Sequence, residues 1–320
     1  MPTLLLSKKE VLSLLNMKDT IMVVEQGFRD WANAKGNMPP KAYLQGVDGD
    51  FRAMPAALPE AAGMKWVSVH TGNPAKGLPT VMGILIYNDH TTGYPLSIMD
   101  ATDITGYRTG ATAAIASKYL ARQDSRTLGI VGAGRQAYAQ ILAHKELLNF
   151  TEIRVYDIFP AAVEKLAKSL ADYPIKVSSL EQAVRSDVVC TVTPARGPVV
   201  KKEMVFPGTH INAIGADAEG KEELEPAVLK MATVVVDDLR QASKAGEINV
   251  PISKGLYAPE EVYASLGDII TGKKKGRKDN QQITIFDSTG VAIEDIAVAK
   301  LLYEKARQAG IGLSVNLLES

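Results

Sequence analysis

Three cations stand where the chain otherwise reads as apolar strand: Lys41 in PPKAYL, Arg52 in FRAMPA and Lys65 in GMKWVSVH. A lone cation on a strand usually points to solvent, so each taken singly is an ordinary surface group. Together with Arg108, in a helix further on, they suggest a pocket for a carboxylate, an anion that ammonium and guanidinium groups hold through charge-assisted hydrogen bonds. A second constellation is LGIVGAGRQA, residues 128–137. An apolar run enters Gly132-x-Gly134-x-x-Ala137, and another apolar run ends at Asp157, about twenty residues later. Gly132 allows a tight strand-to-helix turn, Gly134 lets backbone amides approach a pyrophosphate, and Ala137 lets the helix pack closely. Asp157 can accept hydrogen bonds from ribose hydroxyls and repel a 2′-phosphate, which favours NAD over NADP.

Two further turns carry polar groups. Asp217, in INAIGADAEGKEEL, lies just past a strand expected at 210–214. Ligands of open α/β sheets bind outside the carboxyl ends of strands, so an acid there faces the crevice; flanked by glycines, it is equally a turn former or helix cap. Asp287-Ser288-Thr289-Gly290 sits in the same kind of turn, where hydroxyls and amides can reach a nicotinamide or simply cap the next helix. Arg108 and Thr109 fall in the first turns of a helix that Asp103 is placed to cap and that runs to about Arg122, where side chains and amides can hold a phosphate or carboxylate.

The elements that must position these groups fall into two rhythms. From residue 128 onward, short β-branched runs (128–131, 153–157, 187–192, 210–214, 233–237, 283–286) alternate with helical stretches (135–148, 160–171, 180–185, 224–231). That alternation predicts a parallel, doubly wound sheet. The first 120 residues instead open with helices near 8–15 and 18–35 and continue with extended runs at 41–46, 51–57, 63–69, 81–87 and 95–99. Asp48-Gly49 is a two-residue hairpin signal, and Asn88 to Gly93 is a polar turn. Residues 291–308 form a long amphipathic helix. The expected fold is α/β: a doubly wound Rossmann domain over 122–290, inserted in an α+β substrate-binding and dimerisation domain made of 1–121 and 291–320.

Composition narrows the function. The 36 basic and 36 acidic residues cancel, which removes any long-range reason to expect nucleic acid or an anionic membrane as partner. The run KKKGRK at 273–278 reads as a solvated loop. The single cysteine, Cys190, lies in an apolar run as a buried strand residue, and no pair among His70, His90, His144 and His210 has metal-ligand spacing. No segment approaches about 18 uninterrupted apolar residues and the N-terminus has no cleavage site, so a cytoplasmic protein is expected.

Segments from both halves of the chain, among them MPPKAYL, FRAMPA, MKWVSVHTGNP, YRTGATAAIASKYLAR, GAGRQA, THINAIGADAEGKEEL, the GEI at 246–248 and ITIFDSTGVAIEDIAVAK, resemble the ornithine cyclodeaminase and μ-crystallin family in the family's own order. The resemblance implies an NAD-dependent enzyme of amino-acid metabolism and a homodimer formed through the N-terminal domains. It implies that Lys65 contacts the substrate near its carboxylate and α-carbon, and that Asp217 exchanges protons with the substrate amine. It further implies that Thr80, Arg108, Arg135, Gln136, Asp157, Thr193, Asn212, Ala213, Ile214, Lys221 and Ser288 hold the dinucleotide, which moves Arg108 from substrate to cofactor. Thr289 is placed with Lys41 and Arg52 on the substrate side, Thr109 with Gly132 and Gly134 on the cofactor side.

Within the family the chain looks most like archaeal-type alanine dehydrogenases. Ornithine cyclodeaminases carry an acid where Arg52 stands and an arginine where Lys41 stands. A cation at 52 suits a short monocarboxylate such as pyruvate, whereas an ornithine ammonium beside it would be repelled. The expected reaction is therefore deamination of L-alanine to pyruvate and ammonia with NAD, and its reverse. An ornithine or lysine cyclodeaminase, a cyclic ketimine reductase and a μ-crystallin-like ligand-binding protein are the alternatives.

Overall fold

The computed structural model describes residues 2–318. Two compact units divide it, one running to Arg108 and resuming at Val291, the other spanning Thr109–Gly290.

The first unit is built on a seven-stranded sheet in the order Leu313–Val315, Thr3–Leu6, Pro95–Asp100, Val81–Asn88, Ala61–Val69, Asp50–Leu58, Ala42–Gln45. All neighbours are antiparallel except Thr3–Leu6 with Pro95–Asp100. Five of these strands stand where the extended runs predict them. The two terminal ones were not expected, because TLLL is short and takes its order from sheet partners at both edges. The turn before Asp50 is wider than the two-residue hairpin expected at Asp48-Gly49. Gln45 pairs with Asp50, and Gly46 N–H donates to Gly49 C=O. Gly49 is pressed so closely that a Cβ would stand 2.3 Å from the Val69 carbonyl oxygen.

The alternation of the Asp50–Leu58 and Ala61–Val69 strands turns Arg52, Met54, Lys65 and Val67 to the buried face. The C-terminal helix Ala292–Ala309 lies against that face, its Ala292 to Ala299 stretch almost entirely buried. The opposite face carries Leu44, Trp66 and Ile84, all exposed, with Phe51 stacked on Trp66 at 5.7 Å.

The second unit is a parallel eight-stranded sheet in the order Ala264–Ser265, Thr233–Val236, Thr284–Asp287, His210–Ala213, Val188–Thr191, Thr127–Val131, Glu152–Tyr156, Ile175–Val177. The chain leaves Thr127–Val131 toward one edge and returns at Val188–Thr191 toward the other, and that reversal is where ligands of such sheets bind. A short parallel pair, Arg196–Val200 with Glu222–Leu224, sits apart from it. The helix expected at 224–231 is shorter, Pro226–Lys230, because Glu222–Leu224 is spent as strand.

The first boundary falls at 108, not at 121. It lies inside the helix Thr102–Leu120, whose second half belongs to the second unit: Gly110 packs so tightly on Ala139 that a Cβ would meet its carbonyl oxygen at 2.4 Å, and Ser117 bonds His144 and Asn212. The small residues along this helix permit that approach. The helix also begins at Thr102, so Asp103 is inside its first turn, and Asp100 accepts from the Thr102 N–H and hydroxyl.

His144 and His210 are fully buried in the second unit, and burial pushes their pKa values down to about 4 and about 3. They are neutral members of an interior network with Ser117, Asn212, Cys190 and Thr284. Cys190 is buried as expected, and its thiol is pushed up to about 12. Lys273, Lys274, Lys275 and Lys278 are exposed, whereas Arg277 turns in to donate to the Leu120 carbonyl. Among the described residues, no helix is long and apolar enough to cross a membrane, and no group of three or more His, Cys, Asp or Glu is placed to hold a metal ion.

Candidate active site

The first unit gathers the cations. Lys65 lies directly opposite Met54, and Arg52 is two residues along the same strand, so Arg52 and Lys65 share a face as diagonal neighbours, about 7 Å apart. Arg52 is 4% exposed and is held by Asp50, with Nε 2.6 Å from Oδ1 and Nη2 3.3 Å from Oδ2. Its guanidinium also stacks over the Tyr43 ring at 5.3 Å, and Lys41 Nζ lies 6.0 Å from the same ring. Tyr43 is thus the platform that joins Lys41 to Arg52.

Lys65 has no exposure at all. Its Nζ donates to Asp295 Oδ1 at 2.7 Å and to Thr105 Oγ1 at 3.4 Å. Arg108 lies beside it, donating from Nη1 to Glu294 Oε2 at 2.6 Å with Nε 3.3 Å from Asp295 Oδ1. Two cations and two carboxylates therefore balance in a closed cluster. Burial, and then the Arg108 charge, pull the Lys65 pKa down to about 7, against the opposing pull of Asp295. An ammonium that titrates near neutrality can give and take a proton under ordinary conditions. The signal for Asp295 and Glu294 was present in VAIEDIAVAK, where two adjacent acids interrupt an otherwise apolar helix.

The second unit supplies a nucleotide cradle. Gly132 has φ +104, and a side chain there would meet the Val192 carbonyl oxygen and Thr193 Cγ2 at 3.1 and 3.2 Å. Gly134 caps the helix Arg135–Leu147, and a Cβ there would find nothing within 4 Å, which leaves that side of the loop open to an incoming group. Asp157 follows the next strand, Glu152–Tyr156; its Oδ2 accepts from Ala133 N–H at 2.7 Å and its Oδ1 from Phe159 N–H at 2.8 Å. Ser288 is 2% exposed and its Oγ has no hydrogen-bond partner. These features fit a dinucleotide: an open, amide-lined helix start, a carboxylate at the following strand and a buried hydroxyl with bonding capacity to spare.

The remaining candidates are placed as follows. Asp217 Oδ1 accepts from Lys221 Nζ at 2.5 Å, so the expected proton carrier and an expected cofactor lysine are one ion pair. Asn212 is fully buried and its side chain is spent on Ser117, His144 and His210, so contact from Asn212 to a ligand is left to its backbone. Ala213 is buried and accepts from Ser288 N–H, and Ile214 follows it. Arg135 is exposed and Gln136 half-buried at the helix start; Thr109 is buried, and Thr80 follows the His70 segment with its carbonyl accepting from His70 N–H. Thr289 donates its hydroxyl and amide to Asp237, so the structure employs it in anchoring the last turn.

Behind these turns lies a set of buried acids, of which the sequence reading singled out only Asp287. Glu223 accepts four donors: Thr191 Oγ1, Thr193 N and Thr193 Oγ1, each at 2.7 Å, and Gly215 N at 2.8 Å. Glu247 accepts from the Glu223 and Leu224 amides, Asp287 from the Glu247 and Ile248 amides, and Asp237 from Thr289 and Gly290. Burial pushes the Glu223 and Glu247 carboxyls up and Asp287 to about 8.

A model of the ornithine cyclodeaminase/mu-crystallin family matches residues 1–310. The chain belongs to that family. It is 50% identical over 318 residues to an alanine dehydrogenase of Archaeoglobus fulgidus, with 99% of each chain covered. The structure of an archaeal alanine dehydrogenase dimer with bound NAD superposes with a TM-score of 0.97 at 49% identity, covering 99% of this chain and all of that one. A Δ1-pyrroline-2-carboxylate reductase of Thermococcus litoralis, in complex with NADH and L-proline, gives 0.94 at 39% identity, covering 98% of this chain and all of that one. A likeness this even over both units extends the family's architecture to the whole described chain.

Proposed function

We propose that this protein is an NAD-dependent L-alanine dehydrogenase, interconverting L-alanine, water and NAD+ with pyruvate, ammonium, NADH and a proton. The observation that carries the reading is the buried cation pair on one sheet face, Arg52 and Lys65; the 50% identity to an alanine dehydrogenase supports it. NAD, when bound, accepts or supplies the hydride at the α-carbon. Gly132, Gly134, Arg135, Gln136 and Thr193 hold its phosphates and nicotinamide side, Asp157 its ribose. Arg52 and Lys41 hold the substrate carboxylate. Lys65, at about 7, orients the carbonyl or imine and passes a proton at Nζ, with Asp295 as the counter-charge that keeps the ammonium form accessible. Asp217 is the second proton carrier, its charge held by Lys221.

The apolar outer face with Leu44, Phe51, Trp66 and Ile84 is where we place the contact with a second copy, since so large an exposed patch on a sheet marks an interface; the archaeal alanine dehydrogenase above is a dimer. The cytoplasm is the proposed compartment. A second reading, reduction of a cyclic imine carboxylate, is favoured by the same Arg52 and Lys65 pair, because that substrate also presents one carboxylate and no further ammonium.

The deciding experiment follows NADH absorbance with pyruvate plus ammonium, with Δ1-pyrroline-2-carboxylate in parallel and L-ornithine plus NAD assayed for proline. Ammonium-dependent NADH loss is expected with pyruvate. NADH loss only with the cyclic imine favours the second reading, and proline from ornithine overturns the Arg52 argument.

A further inference from the structure

Neighbouring parallel strands Val188–Thr191 and His210–Ala213 pair up to Thr191 and Ala213, and beyond the ladder the Thr191 carbonyl still accepts from the Ile214 and Gly215 N–H groups. Thr193 follows the first and the Gly215–Asp217 turn follows the second, and neither belongs to the ladder. One buried side chain bonds to both segments. Glu223 Oε1 takes the Thr193 N–H and hydroxyl, and Oε2 takes the Gly215 N–H and the Thr191 hydroxyl. We propose that Glu223 is a positioning residue that locks Thr193 and the Gly215–Asp217 turn into a single arrangement, so that nucleotide affinity and proton transfer at Asp217 depend on the same carboxylate.

Every partner of this carboxylate is a donor, so only an acceptor at both oxygens satisfies the site. Taking such a charge out of water costs several kcal/mol unless it is fully hydrogen-bonded, and Glu223 is fully buried with two donors on each oxygen. The fit is tight: a Cβ on Gly215 would stand 2.1 Å from the Thr193 carbonyl oxygen and 2.6 Å from Glu223 Oε2. The anchor is itself anchored, because Glu247 receives the Glu223 and Leu224 amides. Glu222, one residue earlier, faces Lys254 and takes no part. An apolar residue of the same size would leave these four donors unpaired, whereas the carboxylate adds a fixed bond to each of two turns.

The proposal rests on the reading that Thr193 holds the nucleotide and Asp217 carries a proton, and its test separates the two. Glu223→Gln keeps the shape but replaces one acceptor by an NH2 that confronts the donors of Thr193 or of Gly215. In the full-length protein, the dissociation constant for NADH, read by fluorescence titration, is expected to rise about tenfold and kcat at saturating NADH to fall about tenfold, the loss of one charged hydrogen-bonding acceptor. KM for pyruvate, which depends on Arg52 and Lys65, is expected to stay within about twofold. A general loosening of the fold would not spare it. Thr191→Val removes one donor without touching either turn and is expected to move the same two constants in the same direction by about threefold. A folded Glu223→Gln protein with both constants within about twofold of wild type overturns the proposal; if that variant does not fold, unchanged constants in Thr191→Val overturn it instead. Wild-type protein that binds NADH but leaves pyruvate untouched overturns the alanine dehydrogenase reading alone, and the NADH titrations then decide the positioning role.

Discussion

The two units handle buried charge in opposite ways. In the first, Lys65 and Arg108 face Glu294 and Asp295, and cation balances anion. In the second, Glu223, Glu247, Asp287 and Asp237 accept from backbone amides and hydroxyls. An ion pair that gives up one proton remains a bonded pair at modest cost, so the first arrangement suits a group that must titrate. A carboxyl group that accepts from several amides and hydroxyls at once fixes the turns that supply them, so the second suits turns that must not move. The lysine proposed to carry the chemistry therefore lies in the first unit, and the amide-capping acids in the second.

The sharpest way to break this contrast is to remove the titrating group. Lys65→Ala is expected to reduce turnover by about 10²–10⁴ or more, the range of a lost acid–base group, with NADH affinity largely kept. Retained turnover would refute the assignment of Lys65. Next, Asp295→Asn leaves Lys65 buried without its bonded counter-charge. Breaking a buried pair from one side costs about 3–5 kcal/mol, and the Lys65 pKa falls further below its present value of about 7. The limb of the kcat profile that reports Lys65 should then move to lower pH, and an unmoved limb would detach Asp295 from the mechanism.

Stability should respond to pH with opposite sign in the two units. Lys65 has a folded pKa of about 7 against an ordinary value of 10.5, so between those values the unfolded chain binds more protons and its contribution grows as pH rises. Asp287 is pushed up from 3.8 to about 8, so the folded chain binds more protons in that window and its contribution is lost as pH rises through it. Each can change stability by about 1.4 kcal/mol per pH unit inside its window. Denaturant midpoints of Lys65→Met against wild type from pH 7 to 10, and of Asp287→Asn against wild type from pH 4 to 8, should diverge with opposite slopes; parallel slopes would erase the distinction.

What could be read in advance follows the same division. Strand positions in both units were legible because hydrophobic runs of period two or of continuous β-branched residues dictate them. The glycine loop was legible because the backbone at Gly132, with φ +104, admits few residues, and Asp157 was picked out by its place after the following strand. Arg52 and Lys65 were visible as misfit cations, but strand pattern alone argues that such groups face water; Lys65 is buried against Asp295, over two hundred residues away in the chain, and Arg52 against Asp50 and the Tyr43 ring. Glu223, Glu247 and Asp237 were invisible. A carboxylate that bonds to main-chain amides has no complementary side chain to announce it. The boundary near 108 was hidden too, since a helix shared by two units shows no break in its pattern.

The smallest expected effect tests whether Asp157 belongs with the amide-capping acids or acts only toward ligand. Its carboxylate already ties the glycine loop through Ala133 N–H and the following turn through Phe159 N–H. Asp157→Asn keeps one acceptor and removes the charge that repels a 2′-phosphate; Asp157→Ala removes both. Each should shift the NADPH-to-NADH ratio of kcat/KM upward by about tenfold, equivalent to about 1.4 kcal/mol. If Asp157 also anchors the loop, Asp157→Ala should in addition weaken both nucleotides together while Asp157→Asn does not. Equal affinities in the two variants would confine Asp157 to the ribose, and an unchanged cofactor ratio in both would remove it from nucleotide selection.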